Sequence, residues 1–404
     1  MSLTNTPSAN RLHIGIFGKR NSGKSSLVNA ITNQNTALIS EIAGTTTDPV
    51  YKAMEIYGIG PCMLIDTAGF DDEGDLGALR VEKTRDALDK TDLAIVVFCD
   101  TDIALETTWI AQLRKNNRPV IAVVNKSDIL TNVSEIVQTI EASFGLHPVV
   151  VSARERSGIN EVIEAIIRQL PEDFEKKSIT GGLVQEGDLV LLVMPQDIQA
   201  PKGRLILPQV QTIRDLLDKK CLVMSITTDK LDEGLAMLAK PPRLIITDSQ
   251  VFPIVYQKKP AESLLTSFSV LMAAVKGDIQ AFVSGASAID SLTEDSYVLI
   301  CEACTHAPLD EDIGRVKLPR LLRKKVGEKL TVDIISGPDF PKDLLKYHLI
   351  IHCGACMFNR RHVLSRIEKA QAQGVAITNY GVALAKLSGI LDQIKYESPE
   401  RQTV

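Results

Sequence analysis

The eight residues "GKRNSGKS", Gly18 to Ser25, constrain this chain more than any other stretch. They follow an apolar run, "LHIGIF", that reads as a buried strand, and they open an amphipathic stretch that reads as a helix. A phosphate-binding loop needs this setting. Gly18 and Gly23 let backbone N–H groups approach the phosphates, and the helix N-terminus adds its positive end. Lys24 reaches the β- and γ-phosphates, and the Ser25 hydroxyl can ligate magnesium. Asn21, Ser22 and Ser26 complete the candidate nucleotide-binding loop. A glycine-rich turn is the bland alternative, but four companion motifs occur in order along the chain.

"DTAG" ends the strand-like run "CMLID", so Asp66 can hold the magnesium shell through water while the Gly69 amide faces the γ-phosphate. "NKSD", Asn125 to Asp128 with Lys126 between, ends another buried run. A carboxylate at Asp128 accepts from the N1 and exocyclic N2 donors of guanine, a pairing that adenine does not offer. "SAR" places Ser152 and Ala153 where a backbone loop contacts the guanine O6; it is the least specific motif. "EIAGTTTDP" lies between the first helix and the strand "CMLID", the place of a first switch segment; its resemblance to the G-x-T pattern of GTPases implies Thr46 as the magnesium and γ-phosphate sensor, with Thr45 the fallback.

These motifs resemble those of the Era and TrmE group of GTPases, which implies GTP and GDP as ligands rather than ATP. In that group an asparagine at the position of Asn21 helps to hold a potassium ion. Phe70 stands where Ras-like enzymes carry glutamine, so the resemblance implies slow hydrolysis stimulated by potassium, with Lys24, Asn21, Thr46 and Gly69 at the reacting phosphate. The chain departs from the group in having Thr47 where arginine is common.

Strand-like runs alternate with helical stretches from Leu12 to about Leu170, which predicts an α/β P-loop GTPase domain with a largely parallel sheet over residues 1–174. The polar linker "PEDFEKKSITGG" follows it. Two further α/β domains with largely parallel sheets are expected: a middle domain over 175–264 without evident chemistry, and a third over 265–404. The third is expected to open with a helix, "ESLLTSFSVLMAAV", and to continue through the strands "SYVLICEAC", "LTVDIIS", "HLIIHCGAC" and "VAITNYG", each separated by helical sequence.

Seven cysteines over 404 residues, four of them at Cys301, Cys304, Cys353 and Cys356, suit reduced thiols better than a disulfide frame. Three readings stand side by side: free buried cysteines; a structural zinc site, although 48 residues separate Cys304 from Cys353; and an iron–sulfur cluster on Cys304, Cys353 and Cys356. In the last, the fourth corner is left to His306, His352, water or an outside ligand. Each histidine is equally well read as a polar residue at a strand end.

"CTH", then 45 residues, then "HCGAC" resembles the C-x-H … H-C-x-x-C motif of the HydF family, GTPase scaffolds of FeFe-hydrogenase maturation. The order of a GTPase domain, a middle domain and a cysteine-bearing domain is similar too. The resemblance implies a 4Fe-4S cluster on Cys304, Cys353 and Cys356, and a two-iron subcluster precursor carried to apo FeFe-hydrogenase. It also implies radical-SAM maturases as partners and a homodimer through the middle domain. Cys301 lies outside that motif.

A net charge of -5 gives no electrostatic reason to expect nucleic acid, and no apolar run reaches a membrane span; a cytoplasmic protein is expected. Two other functions compete. One is an RNA- or ribosome-associated GTPase with a structural zinc, against which no G-x-x-G loop follows the first domain. The other is a redox enzyme, against which no second cluster motif appears.

Overall fold

The computed structural model describes residues 8–32, 49–56, 59–67, 75–170, 178–195, 205–302, 313–337, 339–355 and 358–397, with only the backbone described for 75–82. These divide into two compact units, Met1–Lys176 and Lys177–Val404.

In the first unit the strands are β1 (Leu12–Gly18), β2 (Val50–Ile56), β3 (Gly60–Asp66), β4 (Leu93–Phe98), β5 (Val120–Val124) and β6 (Val149–Val150). The helices are α1 (Lys24–Thr32), α2 (Asp75–Lys90), α3 (Ala104–Lys115), α4 (Val133–Phe144) and α5 (Ile159–Arg168). The sheet order is β2-β3-β1-β4-β5-β6, parallel except where β2 runs against β3. β1 and β4 are buried along their whole length because helices cover both faces. Leu12, Ile14, Leu64 and Val97 pack toward α1 and α5, while Phe17, Val96 and Phe98 pack toward α3 and α4. β2 carries no continuous apolar run: only Ile56 is buried, and the others are half or fully exposed. That edge position is why its sequence does not advertise a strand.

The second unit contains β7 (Leu189–Val193), β8 (Leu222–Ile226), β9 (Leu244–Thr247), β10 (Leu264–Ser267), β11 (Tyr297–Glu302), β12 (Thr331–Ser336), β13 (Leu349–His352) and β14 (Ala376–Asn379). They form two four-stranded sheets, β10-β9-β7-β8 and β12-β11-β13-β14, in which every recorded pairing is parallel. The helices are α6 (Leu207–Asp218), α7 (Leu231–Ala236), α8 (Phe252–Lys258), α9 (Phe268–Lys276), α10 (Ile279–Ala286), α11 (Leu318–Val326), α12 (Arg360–Ala372) and α13 (Tyr380–Leu387).

Two expectations for this unit are corrected. The stretch expected as one helix, 262–275, begins as β10, which pairs with β9 from Leu264↔Leu244 to Ser267↔Thr247. Ser267 then turns the chain, its side chain accepting from the Val270 amide as the N-cap of α9. Only the second half is helix, and it carries apolar residues on both faces because it is buried between layers. Val270 and Ala273 join a core with Leu191 and Ile350, while Phe268 and Leu271 join one with Val190 and Leu244. Secondly, β12 and β13 are not separated by a helix among the described residues.

Candidate functional site

The sequence motifs of the first unit converge at the carboxyl ends of β1, β3 and β5. The loop after β1 turns through Gly18 (φ 150), Asn21 (φ 60) and Gly23 (φ 91). A Cβ on Gly18 would stand 2.5 Å from the Val97 carbonyl oxygen, and one on Gly23 2.2 Å from Asn125 Nδ2, so both positions require glycine for space as well as for φ. Asn21 takes the left-handed conformation that asparagine tolerates better than most residues.

Lys24, largely buried, donates to the Gly18 carbonyl at 3.0 Å and the Lys19 carbonyl at 2.8 Å, so its ammonium lies within the loop. Ser25 Oγ donates to Asp66 Oδ2 at 2.5 Å. This joins the two residues expected to share magnesium. Asp66 Oδ1 is buried with no hydrogen-bond partner among the described residues, as is Ser22 Oγ. An acceptor left this way fits a metal-bound water. Burial raises the Asp66 carboxyl above its ordinary range, while the Ser25 hydroxyl and the Lys24 and Lys52 ammonium groups pull it back.

Asn125 braces the site rather than only lining it. Its Nδ2 donates to the Ser22 carbonyl at 3.0 Å, and its Oδ1 accepts from the Ala153 amide at 3.1 Å. The Ser152 hydroxyl donates to Asp128 Oδ1 at 2.8 Å. One network therefore joins the phosphate loop, the "NKSD" turn, with Lys126 at φ 65, and the "SAR" loop. Ser26 opens the first turn of α1. Thr45, Thr46, Thr47, Gly69 and Phe70 lie outside the described residues.

A cluster that sequence reasoning missed anchors the loop's outer side. Lys19 Nζ is 3.1 Å from Asp100, 3.2 Å from Asp102 and 4.0 Å from Glu106, and also donates to the Asp102 carbonyl. Glu106 is buried, and burial holds its carboxyl above the ordinary range against its own backbone hydrogen bond and Lys19.

The second candidate site lies at the end of β13. β11 and β13 are adjacent and parallel, with Cys301 level with His352. Cys304, His306 and Cys356 lie outside the described residues. Cys301 is wholly buried among apolar side chains, and burial pushes its thiol up to about 12, which suits an inert core residue. Cys353 is only half-buried and stands where the strand ends. Its amide donates to the Cys301 carbonyl at 2.9 Å, and its Sγ accepts from the Ala355 amide at 3.4 Å. Ala355 adopts φ 51 to aim that amide. An amide directed at sulfur favours the thiolate, the form that binds metal. The described donor thus fits a thiolate-held metal group.

Side chains distant in sequence hold this loop. Lys276, from the end of α9, donates to the Ala355 carbonyl at 3.3 Å and the Phe358 carbonyl at 2.8 Å. Asn379, ending β14, donates to the Cys353 carbonyl at 3.3 Å and is steadied by the Ser269 hydroxyl at 3.2 Å. At the end of β11, Glu302 accepts from both Arg315, as close as 2.9 Å, and the Ser336 hydroxyl at 2.8 Å. His352 is wholly buried, with Nδ1 2.9 Å from the Cys353 carbonyl and Nε2 2.9 Å from Arg366 Nη1. Burial, with Arg366 beside it, pushes the ring down to about 3, so it is neutral.

Comparison with known proteins finds three successive family matches along the chain. Residues 13–126 match the 50S ribosome-binding GTPase family. Residues 179–277 match the hydrogen maturase F dimerization domain and residues 280–395 the hydrogen maturase F tetramerization domain, together more than half of the chain. The tRNA modification GTPase MnmE of Heliobacterium modesticaldum is 36% identical over 160 residues, 39% of this chain and 34% of that protein. GTPase Der of Mycoplasmopsis agalactiae is 32% identical over 194 residues, 44% of this chain and 44% of that protein. The chain spans less than half the length of these curated relatives. An Era variant of Aquifex aeolicus bound to GDP and aluminium fluoride overlays with a TM-score of 0.36 at 19% identity, over 56% of this chain and 98% of that one. The first unit is a GTPase domain. Among the described residues no helix is long and apolar enough to cross a membrane.

Proposed function

This chain belongs to the hydrogen maturase F family, and on that premise we propose that it is a GTP-switched scaffold that binds a 4Fe-4S cluster and delivers a two-iron subcluster precursor to apo FeFe-hydrogenase. The observation that carries the reading is the loop after β13. A half-buried Cys353 accepts an amide at sulfur, and its backbone is clamped by Lys276, Asn379 and His352. A loop held by residues from two other segments and by the histidine that precedes it is built to present its thiolate in one geometry.

Cys304, Cys353 and Cys356 would hold the cluster. Bound there, it would supply an iron corner open to an exchangeable ligand. The chain's own residues fix the loop and its access. Lys24, Ser25 and Asp66 would bind the phosphates and magnesium, Asn21 a potassium ion, and Asp128 with Ala153 the guanine. Thr46 and Gly69 would respond to the γ-phosphate. Without a glutamine after "DTAG", hydrolysis would be slow and potassium-stimulated. Equal rates in potassium and sodium buffers would reject that part.

Three domains, 1–174, 175–264 and 265–404, with the middle one pairing two chains, complete the proposal. β8 is an edge strand with Leu222 exposed, and Leu217 and Val210 on α6 are exposed as well, an apolar edge that suits a second copy. Radical-SAM maturases and apo-hydrogenase would be the partners, in the cytoplasm. What supports this over an RNA-linked GTPase with structural zinc is that the chain beyond residue 179 resembles maturase domains.

The test is anaerobic reconstitution with iron and sulfide, followed by metal analysis and EPR of the reduced protein, for wild type and the triple variant Cys304→Ala, Cys353→Ala, Cys356→Ala. A 4Fe-4S signal lost in the variant is expected. Stoichiometric zinc without that signal would favour the RNA-linked reading.

A further inference from the structure

Arg366 lies in the middle of α12 and is 2% exposed. Its Nη2 donates to the Gly337 carbonyl at 2.9 Å and the Asp339 carbonyl at 3.3 Å, and its guanidinium lies 5.1 Å from the Phe340 ring centre and 4.8 Å from that of Phe358. Its Nη1 is 2.9 Å from His352 Nε2. No cysteine motif includes this arginine.

The chemistry of the contact settles the state of the histidine. A guanidinium has donors and no acceptor, so His352 Nε2 must accept. A neutral imidazole then carries its proton on Nδ1, and Nδ1 is 2.9 Å from the Cys353 carbonyl, to which it donates. Both ring nitrogens are therefore committed. The one ring lone pair that could reach iron, on Nε2, is unavailable unless the Arg366 contact breaks. Breaking it would leave a buried cation to find another acceptor.

We propose that Arg366 is a positioning residue of the cysteine loop: it locks His352 in the Nδ1–H tautomer, so that this histidine braces Cys353 through its carbonyl and does not ligate the metal. The chain Arg366–His352–Cys353 carries the order of α12 into the loop, and the fourth iron corner is left to a ligand other than His352. The tautomer lock stands without a cluster; its role toward the metal rests on the function proposed above.

The two parts are tested separately. In apo-protein with isotopically labelled histidine, proton–nitrogen spectra near neutral pH report which ring nitrogen carries the proton, and the His352 signals are assigned by their loss in His352→Asn. Wild type is expected to show Nδ1 protonated, Arg366→Lys to keep that pattern, and Arg366→Met to lose it. A proton on Nε2 in wild type, or an unchanged spectrum in Arg366→Met, overturns the proposal. If Arg366→Met does not fold, the wild-type and Arg366→Lys spectra still decide.

In reconstituted protein, His352→Asn places an amide N–H near the Nδ1 position and is expected to keep the wild-type EPR signal. His352→Ala is expected to lose about 10- to 100-fold in iron affinity, as removal of a residue that orients a ligand does. A nitrogen hyperfine coupling in wild type that vanishes in His352→Asn would make the imidazole a ligand and overturn the proposal. A wild-type chain that takes up no iron overturns the cluster reading alone, and the tautomer spectrum still decides this one.

Discussion

The phosphate loop and the cysteine loop both follow a buried parallel strand, but they differ in how much of their hold is written in the local sequence. Lys24 curls back onto the carbonyls of Gly18 and Lys19, six and five residues away. Its conformation is written into the local spacing of glycines. The loop at Cys353 is held from outside by Lys276, Arg366 and Asn379, which come from α9, α12 and β14. The lysine hold travels with its motif, to which Asn125, Asp66 and the carboxylates around Lys19 add braces from other segments, whereas the side chains that cradle the cysteine loop come from distant segments and meet only once the fold has formed.

Substitutions can break or sharpen this contrast. The largest effect is expected for Lys24→Ala, which should lower kcat for GTP about 10²- to 10³-fold, the scale for removing one group that stabilises developing charge. Iron uptake at the other loop should be unchanged. Single-turnover hydrolysis and an iron assay on the same preparation check both halves.

Asp128→Asn should weaken GTP binding by roughly 10- to 150-fold, the equivalent of losing a charge-assisted hydrogen bond. It should improve binding of xanthosine triphosphate, whose base presents a carbonyl in place of the amine. Titration calorimetry with the two nucleotides reads this directly.

Lys276→Met strikes the cradle. It leaves the Ala355 and Phe358 carbonyls short of a donor, which should cost about 1–3 kcal/mol in the stability of the second unit while leaving GTP hydrolysis intact. Urea unfolding followed beside a GTPase assay would show it; a parallel loss of GTPase rate would blur the contrast.

The smallest effect is expected at Glu106→Gln. A carboxyl whose folded value is raised contributes stability that is complete below its unfolded value, near 4.5, and is lost as pH rises through the folded value. Above pH 4.5 the variant should therefore gain on wild type with increasing pH, then level off. Unfolding curves of the two proteins across that range measure the difference.

How legible each region was in the sequence follows from the same contrast. "GKRNSGKS", "DTAG" and "NKSD" fix their geometry over a few residues, so Lys24, Asp66, Asn125 and Asp128 could be placed from their motifs, with Asn21 and Ser152 added by family resemblance, and the structure brings those at β1, β3 and β5 together. Continuous apolar runs announced β1, β4 and β5 because both sheet faces are covered. β2 was missed because an antiparallel edge strand buries one residue in seven. β10 was read as helix because a half-buried Leu264 and three buried residues preceding an apolar helix have no period of their own. Lys276, Arg366 and Asn379 carried no signal at all: a lysine or arginine in a helix reads as a solvated face, and only the burial of Lys276 and Arg366 marks them. Lys19 was hidden inside a motif whose other residues explained it.

The measurement that tests the central claim most directly is transfer. Reconstituted, precursor-loaded wild type and Cys353→Ala, matched for GTPase rate, would be mixed with apo FeFe-hydrogenase with GTP present, and iron passed to the hydrogenase would be followed with hydrogen evolution. Activation by wild type with no transfer from Cys353→Ala is the predicted result. Equal activation by the two proteins would contradict the account, because the cysteine loop would then have no part in what the chain delivers.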